Sequence, residues 1–254
     1  LAFWSGVLAA PPVQAQEWKE LKGEHFIIYS TEGDGFPAEV LKQAEQYYKT
    51  IADELGYQRY SNFWTWDNRV RIYIFPDKKT FLQATGQPSW SEGMADYHHK
   101  SIVSYAWNEG FLEDLLPHEI AHLIFRDYVG FKGEVPLWLD EGVAQWMEFK
   151  KREAVKHAIK DLVRRDKIIS LPQLLEMDVR RVVNSEMVRI YYIESVSLVS
   201  FLITQYGSNN FTIFCRQLRD GKSLNRALSF AYPTSIRDVH ALDERWQKYI
   251  REGR

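Results

Sequence analysis

The chain has 254 residues, 45% of them hydrophobic and 26% charged, a globular composition with apolar material for one sizeable core or two modest ones. Its 32 Lys and Arg stand against 34 Asp and Glu, a net charge of -2, so no field of one sign draws it to nucleic acid or to anionic lipid. The single cysteine, Cys215, excludes an intramolecular disulfide and any zinc cluster built on thiolates. Flanked by Phe211, Ile213 and Phe214, it reads as a core thiol.

Taken in order, LAFWSGVLAAPPVQAQ opens with an apolar run of about ten residues, then two prolines and Val13-Gln14-Ala15, the order of a secretory signal. Residues 1–15 are expected to be cleaved after Ala15, with export to the periplasm or the exterior; the run is too short to cross a bilayer, and no transmembrane span is expected in the mature chain. HFIIYST reads as a strand and FPAEVLKQAEQYYKTIADELG as a helix ended by Gly56. RVRIYIF alternates as a half-buried strand up to Pro76, DKKTFLQATG is a short helix, and KSIVSYAW is a further strand. From there the chain turns strongly helical. The clusters Lys150-Lys151-Arg152 and Arg164-Arg165 lie with Glu153 and Asp161 in a charged helical stretch, a solvated face without a function of its own. His98-His99, an adjacent pair in a polar loop, is likewise given no role.

The stretch LLPHEIAHLIF, residues 115–125, carries the chemistry. On a helix His118 and His122 project from one face and can aim both imidazoles at one point, a geometry zinc accepts. Glu119, rotated by about 100°, is poorly placed as a ligand but can reach the open side of the metal, where a carboxylate takes a proton from water and hands it to a leaving amine. A third ligand is needed. A turn at glycine followed by a third histidine is ruled out, because Phe125 and Tyr128 stand at those places.

The next helix, PLWLDEGVAQWMEF, supplies a better answer. Pro136 suits a helix start, Leu139, Val143 and Met147 form a core stripe, and Glu141 lies on a different face. Eighteen residues separate His122 from Glu141, enough to end the first helix near Gly130, pass through FKGEV and return antiparallel. Two imidazoles, one carboxylate and an open position make a catalytic zinc shell. Asp140 and Gln145 are near enough to be partners of the ligands, and Trp138 and Trp146 read as packing between helices.

HEIAH, eighteen residues, then Glu141 within WLDEGVA resembles the gluzincin-type zinc metallopeptidases, in particular the aminopeptidase-like clan and the bacterial peptidase MA-like domains. The resemblance runs loosely from HFIIYS to RWQKYI and is specific at 118–146 and 192–207. It implies Glu141 as third zinc ligand. YIESVSLVSFLITQYG is similar to a later helix that a tyrosine begins and a glycine closes; in the family that hydroxyl supports the oxyanion, which makes Tyr192 the candidate and Tyr191 the runner-up. The aminopeptidases carry Gly-x-Met-Glu-Asn upstream, whereas Gly93-Met94-Ala95-Asp96 lacks the glutamate, so the resemblance does not extend to aminopeptidase specificity. It further implies that KSIVSYAW stands where these folds keep an edge strand able to pair with an extended substrate.

The fold expected is therefore an α+β, zincin-like one. After the signal, 16–254 forms a single peptidase MA-like domain: a small mixed-sheet lobe over about 16–110, then a helical lobe over about 111–254, with the zinc site at their junction. The expected function is zinc-dependent hydrolysis of peptide bonds in a peptide or protein substrate, with zinc on His118, His122 and Glu141, Glu119 as general base and Tyr192 on the oxyanion. The alternative is a zinc-binding but inactive module serving as a binding or scaffold protein of the cell envelope.

Overall fold

The structure, a computed structural model, describes residues 18–31, 33, 35–57, 64–89, 91–106, 110–130 and 135–253, the side chain of residue 180 excepted. The expected signal at 1–15, Trp107 and residues 131–134 of the FKGEV connection lie outside them. In chain order the elements are β1 (Lys19–Lys22), β2 (Phe26–Ser30), α1 (Gly35–Glu54), β3 (Val70–Phe75), α2 (Lys78–Thr85), β4 (Gly93–Asp96), β5 (Ser101–Tyr105), α3 (Leu116–Val129), α4 (Leu137–Trp146), α5 (Phe149–Arg164), α6 (Leu171–Glu176), α7 (Ser185–Arg219), α8 (Leu224–Ala231) and α9 (Val239–Arg251). This is the expected α+β class. The chain forms two compact units: one reaches to Thr50 and takes in 59–123, the other takes in 51–58 and 124–254, the division falling within α1 and α3.

The first unit is built on a five-stranded mixed sheet in the order β1-β2-β3-β5-β4. β2, β3 and β5 run parallel and the outer two strands antiparallel to their neighbours. Alternation in FIIYS and VRIYIF buries Phe26, Ile28, Val70, Ile72 and Ile74 on one face, as a sheet covered on that face requires. On the other, Tyr29 stacks on Tyr73 with ring centroids 4.9 Å apart, and the two are register partners. α1 buries Val40, Ala44 and Tyr48, an apolar stripe at helical spacing, and Tyr48 stacks on His25 at 3.9 Å just before β2. α2 starts at Asp77, which accepts from the Thr80 N–H, and stops at Gly86 in the left-handed region.

The strand β5 is buried throughout and lies between β3 and β4. KSIVSYAW is thus not the edge strand the resemblance implied; the edge is β4, a four-residue strand too short to show alternation. Gly93 in β4 faces Leu115, where a Cβ would come within 2.5 Å of the leucine's Cδ2. At the other end of β4, the Tyr97 ring meets the His122 ring edge-on, centroids 6.1 Å apart. The edge strand therefore runs alongside the first half of α3.

The second unit is helical and centred on α7, which packs against α4, α5 and α8. α7 is 35 residues long, seven of them before Tyr192, and it is broken at Gly207 (φ 84°, ψ 155°) rather than ended there. Its length and composition would suffice to cross a membrane, and more than half of its apolar window is buried inside the protein. The indole N–H of Trp246 on α9 donates to the Ser197 hydroxyl at 3.1 Å, tying α9 to α7.

Candidate metal centre

A π-helical turn, Phe111–Leu115, leads without interruption into α3. Leu116, Ile120, Ala121, Leu123, Ile124 and Phe125 are all buried, so this helix is apolar on nearly every side. In that setting stand His118, Glu119 and His122, none of them more than 1% exposed. The two imidazoles meet through their Nε2 atoms, 3.0 Å apart, with the rings at 81°. Nitrogens bound to one zinc at about 2.0–2.1 Å and a tetrahedral angle stand roughly 3.3 Å apart. The pair is set for a shared ion.

α4 begins after Pro136 and buries every residue from Trp138 to Trp146. The expected stripe of Leu139, Val143 and Met147 is buried, and so is the other side, with Asp140, Glu141 and Gln145. The reason is Gly142, whose missing side chain lets the Ser195 carbonyl of α7 come so near that a Cβ would lie 2.5 Å from it and 2.7 Å from the Val199 methyl. Trp138 and Trp146 are buried as packing residues, the second with the Arg152 guanidinium 4.1 Å above its ring.

His118 and His122 on α3 and Glu141 on α4 form a group that could hold a metal ion: each offers a ligand atom, all within 4.8 Å of one another. Two imidazoles and a carboxylate are the donor set of catalytic zinc sites with three protein ligands. Burying a carboxylate and two imidazoles this completely is costly without a compensating charge or hydrogen bonds, and a divalent cation meets that requirement. The residues fit a zinc ion. Among the described residues a second His/Glu group, Glu24, His25 and Glu45, also comes together. There Glu45 accepts from the His25 backbone N–H at 2.9 Å and lies 2.7 Å from Nδ1 of the same ring, a bracket that holds the start of β2 to α1.

Within the second unit, burial first and then the negative charge of Glu141 push the Tyr192 hydroxyl pKa well above the ordinary tyrosine value. Tyr192 is half-buried, Tyr191 fully buried. The sequence offers Asp140, with Gln145, as a partner of the ligands. In the structure the Asp140 Oδ2 accepts from Arg126 Nη2 at 2.7 Å, the pair joining α4 to α3. Opposite charges at four past His122 and one before Glu141 were the signal available for it. Tyr97, too, was passed over; nothing in the polar loop after β4 marks it as a neighbour of His122.

A family model for the peptidase MA superfamily matches residues 64–252, which takes in both helices of the metal-binding group and α7. No curated protein matches the chain.

Proposed function

From the premise that the chain belongs to the peptidase MA superfamily, we propose that it is a zinc-dependent peptidase of the gluzincin type, acting on peptide or protein substrates outside the cytoplasm. The observation that carries this reading is the convergence of His118, His122 and Glu141 on one point. Zinc held there supplies a Lewis acid for the scissile carbonyl and lowers the pKa of water toward about 7. Glu119, adjacent to His118 on α3 and buried, takes a proton from the attacking water. As the water oxygen bonds to the carbonyl carbon and the C–N bond breaks, Glu119 delivers that proton to the departing amine nitrogen. Tyr192 keeps its proton because burial and Glu141 oppose ionisation, and its hydroxyl donates to the oxyanion. β4 has β5 on one side only among the described strands, so its outer edge is available to an extended substrate backbone beside α3.

The test is a peptide-library digest by the parent and by Glu119→Gln, with and without a chelator. The parent is expected to cleave, to lose activity to the chelator and to regain it with zinc. Glu119→Gln should bind one zinc per chain and lose roughly 10²–10⁴-fold in kcat. If the variant cleaves as fast as the parent, Glu119 is not the base. A parent that binds zinc and cleaves nothing is the inactive binding module instead.

A further inference from the structure

The ion pair between Arg126 and Asp140 is adjacent in sequence to two of the three proposed ligands. Arg126 lies four residues after His122, one turn along the same face of α3, and Asp140 immediately precedes Glu141 on α4. Asp140 is 1% exposed and Arg126 24%. A charge-assisted bond of 2.7 Å in such surroundings is short and directional.

We propose that this pair is a positioning device for the metal centre, setting the placement of α4 against α3 and with it the reach of the Glu141 carboxylate to the ion held by His118 and His122. The inference rests on the zinc reading above. Gly142 limits how near α4 comes to α7; toward α3 the Arg126–Asp140 pair adds a directional contact that apolar packing lacks. Sliding by one residue carries Glu141 about 1.5 Å along the helix axis and 100° around it. Zinc ligands tolerate only about 0.2 Å. The ion pair distinguishes the correct placement because a 2.7 Å contact between a guanidinium and a buried carboxylate is met only where the two side chains are aligned. A buried ion pair contributes little net stability compared with apolar residues of the same size; its value here is the arrangement it selects.

The experiment measures zinc affinity by competition with a chromophoric chelator, the apo-protein melting temperature and the visible spectrum of the cobalt(II) form. The parent, Arg126→Met and Arg126→Met/Asp140→Asn are compared. The double variant removes both charges without leaving one buried alone, so it is expected to fold with a melting temperature close to the parent's. Its zinc affinity should fall roughly ten- to a hundredfold, and its cobalt band should lose the intensity of a tetrahedral site. Arg126→Met decides by sign. Removing a positive charge near a cation site would by field alone tighten zinc binding, whereas loss of placement weakens it. Unchanged zinc affinity in the double variant, or tighter binding in Arg126→Met, overturns the inference and leaves the zinc reading standing. A parent that binds no zinc takes both down. Should Arg126→Met fail to fold, the double variant decides alone.

Discussion

Tyr191 and Tyr192 are neighbours with different surroundings, and the difference separates their roles. Their rings meet at 90° with centroids 5.7 Å apart. Tyr191 is sealed in the helical unit and its carbonyl accepts from the Ser195 hydroxyl at 2.7 Å. Tyr192 has the Glu141 charge beside it. Loss of one oxyanion donor typically costs about 10²–10³ in kcat. Tyr192→Phe is therefore expected to lower kcat by that order with KM nearly unchanged, in steady-state kinetics on a peptide found by the library digest. Tyr191→Phe should leave kcat within a fewfold of the parent. The reverse pattern would move the donor to Tyr191. At this scale the grouping of His118 with His122 was readable from i, i+4 helix geometry, and that of Glu141 with them from a connection long enough to bring a second helix back. The Arg126–Asp140 pair had only its two opposite charges, four past His122 and one before Glu141, as a signal, and many other charged residues of the chain compete with it.

Gly142 is the point at which one element limits another. The Ser195 carbonyl and the Val199 methyl occupy the volume a side chain would take, at 2.5 and 2.7 Å from a Cβ, and the carbonyl belongs to backbone that cannot turn aside. Gly142→Ala must push α4 away from α7. Overpacking of this kind costs about 1–3 kcal/mol, and here the displaced element carries Glu141. Urea unfolding should report that loss, and zinc affinity should fall with it; a variant as stable as the parent with unchanged zinc binding would show that α4 moves freely at this contact. The close approach also explains what the sequence concealed about α4. A stripe of Leu139, Val143 and Met147 is visible in the pattern, but burial of the opposite side depends on a helix some fifty residues later. Strands with five or more residues and alternating burial, β2 and β3, were legible, as were the stops at Gly56, Gly86 and Gly130, all with positive φ. β1, exposed along its length, and β4 carry too few residues to show a period. Their place is fixed by pairing to neighbours, which no local pattern records.

For the whole molecule, the acidic group that counts most outside the metal centre is Glu194 on α7. It is fully buried, its Oε1 accepts from the Ile169 N–H at 2.9 Å, and Oε2 has no hydrogen-bond partner. Asp243 on α9 accepts from the Leu171 N–H at 3.1 Å, so two carboxyls grip the entry to α6. Burial pushes the Glu194 pKa from 4.5 to about 8; the Ile169 N–H opposes the rise and Asp243 adds to it. The folded state thus holds a proton that the unfolded chain releases above about 4.5. The resulting stability is complete below that pH and is lost as pH climbs through about 8. Each pKa unit is worth about 1.4 kcal/mol, so the effect is on the order of a few kcal/mol. Urea unfolding of metal-free protein between pH 5 and pH 9, parent against Glu194→Gln, isolates it, because the two proteins differ at that one side chain. The parent should lose stability relative to the variant across that range, by a few kcal/mol at the alkaline end. Curves that run parallel would mean that Glu194 is already ionised at pH 5 and that its burial is compensated within the fold.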